Sequence, residues 1–242
     1  MPTRIETVSE TGSTNADLLA RLAAGEQVAE GHWLVADRQS AGRGRQGRRW
    51  LDAPGNFMGS TVVALSPHNP SPASLSFAVA LAVYEAVLPR LADPRALQLK
   101  WPNDLLLNGT KFCGVLIERE GSHAVIGVGV NLAAAPALPD RTVQSLSAQG
   151  PAPARDAFAH DLARSFDVEL GRWRQFGLEP LFARWLAAAH PLGSPLAVHD
   201  GDGDRISGTF AGLAPDGALR LSLADGAVRV IHAGDVTLEG EG

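Results

Sequence analysis

Cysteine is nearly absent, with Cys113 alone in 242 residues. One cysteine excludes an internal disulfide and a Cys-rich zinc site, and points to a reducing compartment. The seven histidines never fall at metal-binding spacing, which argues against a metal held by histidine. The N-terminal MPTRIETVSETGSTN has no apolar run of the kind a secretory signal needs. The longest apolar stretch, LSFAVALAVYEAVL, is too short for a bilayer and carries a glutamate. These absences describe a soluble cytoplasmic protein. Lysine is scarce as well: of 21 basic residues only Lys100 and Lys111 are lysine, eleven positions apart. Two events fit chance. They also fit a place that needs a compact ammonium where a planar guanidinium would not do.

What is present is a chain that can fold. Apolar residues make up 45%, enough for a core, and the net charge of −5 does not suit a protein that binds nucleic acid over its whole surface. STNADLLARLAAG reads as a helix, with a Ser/Thr/Asn cap, leucines at helical spacing and a glycine stop. HWLVAD and NFMGSTVVAL read as strands, and PASLSFAVALAVYEAVLPRL as a buried helix. NGTK reads as a hairpin turn between DLLL and FCGVLIE, followed by HAVIGVGVNL. AAAPALPDRTVQSLSAQGPAPA reads as a long surface connection, and two helices follow it. After Pro191 the turn signals DGDGD, APDG and LADG separate alternating runs, which suggests a small β-barrel and a boundary near 189–193.

The most unusual segment is AGRGRQGRRW, at 41–50, with four arginines and three glycines. Like charges so close repel, and glycines lose much freedom on folding. Its glycines have Walker A spacing, but Arg48 and Arg49 stand where that motif needs Lys-Ser/Thr, so it is no P-loop. GVGVNL lacks the third glycine of a dinucleotide fingerprint. DGDGD has Arg205 and Ala211 where a calcium loop needs Gly and Glu, so it is a turn. Composition leaves the arginine loop two readings, a solvated basic loop or an anion site that orders around its ligand. Trp50 is either a stacking platform or a core anchor. Ser13, Thr14 and Asn15 are simplest as a helix cap, but they also suit a ligand with N–H donors and a carbonyl.

Taken together and in this order, STN, QSAGRGRQGRRW, KWPNDLL, GTKFCGVLIE and GVGVNL resemble the biotin protein ligase family, of the bacterial biotin–[acetyl-CoA-carboxylase] ligase type. The likeness runs over the whole chain. It implies an α+β fold, a mixed sheet with helices packed on one side (the biotin/lipoate ligase catalytic fold, class II synthetase-like) at 1–190, and a small C-terminal SH3-like barrel at 191–242. It implies the form without the extra N-terminal DNA-binding domain, since the chain begins a dozen residues before STN. The implied activity makes biotinyl-5′-AMP from biotin and ATP, with Mg²⁺ on the phosphates and no certain protein ligand for the metal. The biotinyl group then passes to a lysine of the biotin carboxyl carrier protein of acetyl-CoA carboxylase.

By resemblance, Lys111 and Arg45 are catalytic. Ser13, Thr14, Asn15, Gln39, Gly42, Arg43, Gly44, Arg45, Lys111 and Gly114 bind biotin. Arg48, Trp50, Asn103 and Asn131 contact ATP or the adenylate, with Trp50 stacked on the adenine as part of a lid. Asp104 orients the lysines or the metal. Two departures are small: Arg49 stands where Lys is common, and Cys113 where a small apolar residue is common. No nucleic acid and no membrane are implied, and such ligases can pair as homodimers through their sheets. A lipoate-type ligase, which shares the chemistry, is the nearest rival. A nucleic-acid module using RGRQGRR and a non-enzymatic adaptor built on the barrel are the others.

Overall fold

The computed structural model describes residues 4–138, 142–199 and 205–238. The DGDGD turn and part of the long connection lie outside the described residues.

A seven-stranded mixed sheet carries the first domain. Its strands are β1 (Arg4–Thr11), β2 (His32–Gln39), β3 (Phe57–Ala64), β4 (Leu97–Lys100), β5 (Asp104–Leu107), β6 (Thr110–Glu120) and β7 (His123–Val130). The order is β1-β2-β3-β7-β6-β5-β4, with β1 parallel to β2 and every other pair antiparallel. The β5–β6 turn is the hairpin expected from NGTK. Asn108 and Gly109 both take positive φ, 46° and 75°, as a two-residue primed turn requires.

Four helices cover this sheet: α1 (Thr14–Ala23), α2 (Leu75–Val87), α3 (Arg155–Phe176) and α4 (Leu178–Ala188). The last three share one face, and the core lies between them and the sheet. There Trp33, Phe57, Phe158 and Phe166 meet with ring centroids 5.4–6.1 Å apart. Helix α2 is apolar all round and buried over nearly its whole length, as its composition predicts. With its flanking turns the helical run reaches 19 residues, long and apolar enough by composition to cross a membrane. That corrects the expectation that it is too short. Most of the run is buried inside the fold as a core helix.

Helix α1 lies on the opposite face. Its Leu18 packs on Leu34, Val62 and Val125. Ser13 caps it in an extended conformation, accepting from the Ala16 amide at 3.5 Å.

The second sheet is antiparallel and five-stranded: β8 (Pro195–His199), β9 (Arg205–Leu213), β10 (Leu219–Ser222), β11 (Val228–Ile231) and β12 (Asp235–Leu238), in the order β11-β10-β9-β8-β12. Its turns are those read from APDG and LADG. Gly217 and Gly226 have φ of 89° and 85°, and Asp216 and Asp225 accept from the amides two residues on. The two sheets are packed tightly. Trp101 donates its indole N–H to the Gly217 carbonyl at 3.0 Å, and a Cβ on Gly217 would stand only 3.0 Å from Phe77 and Phe182.

Candidate active site

The α1 face of the central strands is unusually bare. Ser60 on β3, Gly127 and Gly129 on β7, and Gly114 on β6 lie in adjoining registers on that face. A Cβ on Gly127 would fall 2.5 Å from the Asn15 side chain, and one on Gly129 would fall 2.3 Å from the Trp50 ring. Missing side chains therefore cut a trough into the sheet, and it opens into a cavity of about 520 Å³.

One end of the cavity is neutral and polar. Ser13, Thr14, Asn15, Gln39 and Ser60 are 0–8% exposed. The Gln39 carbonyl accepts from the Thr14 amide at 2.8 Å, Thr14 and Ser60 hydroxyls lie 2.6 Å apart, and Ser60 donates to Asn15 Oδ1 at 2.6 Å. Asn15 Nδ2 then donates to Glu118 at 2.8 Å. The expected STN and Gln39 set is thus brought together. Ser60 and Glu118 join it without any signal in their own neighbourhoods, because only the β3–β7–β6 register carries them there.

The other end is cationic. Lys111 Nζ lies 2.5 Å from Asp104 Oδ1, and Lys100 Nζ 3.7 Å from Asp104 Oδ2. The two scarce lysines therefore share one carboxylate. Lys100 also donates to the Val236 carbonyl at 2.9 Å, and burial pulls its pKa down against the opposing pull of Asp104. Asn103 donates to the Val115 carbonyl and accepts from Arg45 at 3.0 Å. Arg45 likewise has its pKa lowered by burial.

The arginine loop, expected to lack stable structure unless an anion fills it, has a defined fold. Gly44 N–H donates to the Arg48 carbonyl at 2.7 Å and Trp50 N–H to the Gly42 carbonyl at 3.0 Å, while Gln46 and Gly47 turn the chain with positive φ. A Cβ on Gly42 would meet the Trp50 carbonyl at 2.5 Å. Repulsion is met by separate acceptors: Arg43 at 3.5 Å from Glu118, Arg45 on Asn103, Arg48 at 2.8 Å from Asp235, and Arg49 on the Ser40 carbonyl at 3.0 Å.

Three of the residues and segments singled out in the sequence have further protein partners. Trp50, expected to stack on the adenine as part of a lid, lines the cavity. Its ring lies on Gly129 and Gly114, since a glycine floor leaves it room, and its buried N–H has no acceptor among the described residues. Asn131, expected to contact nucleotide, accepts from Asn56 at 3.3 Å and donates to the Gln144 carbonyl at 3.1 Å. Its amide therefore spans two elements of the protein. The connection expected to run over the surface is a wall of the cavity, through Pro136, Leu138, Thr142 and Val143. Asn56 holds it, donating to the Ala134 carbonyl and accepting from the Ala133 and Ala134 amides. Arg43, Gly44, Gly114 and Asn103 line the cavity, Gly42 lies behind them against Trp50 and Gln39, and Asp235 comes from the second domain. Cys113 is buried behind the sheet, and burial pushes its thiol pKa up, so it stays an inert core residue.

Among the described residues no three His, Cys, Asp or Glu cluster to hold a metal. Asp104 is already shared by two lysines.

Comparison with known proteins finds relatives over most of the chain. Residues 11–131 match the sequence model of the Biotin/lipoate A/B protein ligase family, and residues 192–238 match the Biotin protein ligase C terminal domain. The chain is similar to the biotin–[acetyl-CoA-carboxylase] ligase of Paracoccus denitrificans, 37% identical over 96% of this chain and 100% of that one. It is also 37% identical to the enzyme of the same name from Mycobacterium tuberculosis, over 96% of this chain and 88% of that one. The bifunctional ligase/repressor BirA of Escherichia coli is 30% identical, over 93% of this chain and 71% of its own. Among solved structures, the biotin protein ligase from Aquifex aeolicus in complex with biotin and ATP superposes with a TM-score of 0.83 at 24% identity, each chain covered to 98%.

Proposed function

This chain belongs to the Biotin/lipoate A/B protein ligase family, and we propose that its cavity joins biotin to ATP and passes the biotinyl group to a carrier-domain lysine, that of the biotin carboxyl carrier protein of acetyl-CoA carboxylase. The observation that carries this reading is the pairing of a hydrogen-bonded neutral end with a cationic end across one glycine trough.

The neutral end suits the ureido ring, which presents two N–H donors and one carbonyl. Thr14 and Ser60 oxygens offer acceptors, and Gln39 Nε2 offers a donor. An analogue lacking one of those groups would leave a buried polar atom unpaired, and such mismatches discriminate strongly. Lipoate has no N–H groups, so this end favours biotin over the lipoate-type alternative.

At the cationic end the difficulty is repulsion between biotin's carboxylate and the nucleotide phosphates. Lys111, Arg45 and Arg48 hold the two at attack distance and stabilise the charge that builds on the α-phosphate. A carboxylate oxygen attacks that phosphorus, the bond to the β-phosphate oxygen breaks, and pyrophosphate leaves. Asp104 keeps the two ammoniums side by side; Lys111 would exchange it for the reacting oxygens. In the second half the acceptor amine attacks the acyl carbon and AMP departs. The arginine hairpin and the Asn56-held wall limit water's access to the mixed anhydride.

The test mixes the protein with biotin, magnesium ATP and a biotin carboxyl carrier domain, and probes with streptavidin. Labelled carrier is expected, and absence of label would sink the reading. ATP–pyrophosphate exchange with biotin, lipoate and octanoate side by side decides among the acids; biotin is expected to support it and lipoate not.

A further inference from the structure

We infer that Glu118, which lies outside the cavity, is a positioning residue that sets the direction of the hydrogen bonds at the neutral end and so fixes its preference for ligand N–H donors. The inference rests on the reading that this end receives the ureido ring.

A carboxylate only accepts, so Glu118 at 2.8 Å compels Asn15 to turn its Nδ2 outward. The flipped amide would set carbonyl oxygen against carboxylate oxygen. Asn15 Oδ1 therefore faces inward and takes the proton of Ser60 at 2.6 Å. A serine has one proton, so across the 2.6 Å contact with Thr14 the donor is Thr14. With that proton spent on the shorter contact, the hydroxyl's 3.1 Å approach to Gln39 Oε1 carries none, and Gln39 Oε1 is filled by the Thr14 backbone N–H at 2.8 Å, which turns Gln39 Nε2 away from that amide. Each step leaves one orientation open to the next. Both hydroxyl protons are committed away from the ligand, and what remains facing it is oxygen lone pairs plus one amide N–H. With no acceptor at position 118, Asn15 could turn over, Ser60 could reverse, and the end could present hydroxyl donors instead. Arg43, 3.5 Å from Glu118 and half exposed, ties the arginine loop to the same carboxylate but adds little energy.

The test measures biotin and ATP KM in pyrophosphate exchange by the full chain. Glu118→Leu removes the acceptor and is expected to raise biotin KM at least tenfold, with ATP KM within twofold of the parent. Glu118→Gln keeps one acceptor oxygen and is expected to recover most of that loss. Asn15→Asp sets two carboxylates against each other and is expected to be worse than Glu118→Leu. Adding Glu118→Gln to Asn15→Asp supplies a donor to the new acid, keeps Ser60 donating inward, and is expected to lower biotin KM at least fivefold from the Asn15→Asp value. The inference is overturned if Glu118→Leu leaves biotin KM within twofold, if both KM values move by the same factor, or if the double variant shows no recovery. Absence of any biotin-dependent exchange by the parent chain would overturn the functional reading instead.

Discussion

At the neutral end of the cavity Ser13, Thr14, Asn15, Gln39 and Ser60 are at most 8% exposed, and the hydrogen bonds among them run within one sheet and the helix above it. At the cationic end the paired side chains are 13–39% exposed, and two of their anchors, Asp235 and the Val236 carbonyl, come from the other domain. The contrast follows from desolvation. Neutral groups can be buried outright once each has a partner. Charges cannot be buried cheaply even when paired, so the cations gather at a seam that water reaches. The neutral end can therefore be shaped by direction of hydrogen bonding alone, whereas the cationic end must be shaped by which carboxylate each cation can leave.

Four changes would test that contrast. The largest effect is expected at Lys111. Lys111→Ala should lower kcat/KM in pyrophosphate exchange by about 10²–10³-fold, the usual loss for one positioned electrostatic group, while biotin binding at the far end changes little. Next is His190, buried on the Phe210 ring at 4.5 Å beneath the seam, with the Leu99 backbone beside it. Burial lowers its pKa from 6.5 to about 4. The unfolded chain thus takes up this proton first. The contribution to stability is whole above about pH 6.5 and falls as pH drops toward 4, by about 3 kcal/mol in all. Denaturant titration across that range should show the slope, and His190→Phe should flatten it; an unchanged slope in the variant would mean another group is responsible.

Third is Gly127→Val, whose Cβ would stand 2.5 Å from Asn15 Oδ1. Overpacking of this kind costs about 1–3 kcal/mol, so biotin KM should rise by about ten- to a hundredfold, with ATP KM held. Equal effects on both substrates would mean the two ends are not separable. The smallest effect belongs to Asp235→Asn. Its pair with Arg48 is more than a third exposed on both sides, so thermal unfolding should register at most about 1 kcal/mol.

The polar end was partly readable in the sequence because a helix start announces itself. Ser13, Thr14 and Asn15 precede leucines at helical spacing, and the cap residues also line the cavity. The β5–β6 hairpin was readable from Asn108-Gly109 for a similar reason, a local turn with its own chemistry. Strand β1 was not, since RIETVSET lies at a sheet edge and shows no fully buried position to mark alternation. Ser60, Asn56 and Glu118 were silent because nothing near them in the chain is their partner; 45, 75 and 103 positions separate them from Asn15, Asn131 and Asn15 respectively. The proline- and alanine-rich connection misled for a different reason. Composition reports that a segment forms no regular element, but not that two asparagines will hold it against a cavity.

The bonds from Lys100 to Val236 and from Arg48 to Asp235 make the C-terminal domain a thermodynamic partner of whatever fills the cationic end. Coupling between binding and docking is reciprocal: a ligand that prefers the assembled seam tightens it by as much as the seam tightens the ligand. A ligand at a hundred times its Kd adds about 2.7 kcal/mol to the state it selects. The melting of the small domain should then serve as a gauge of occupancy in the large one.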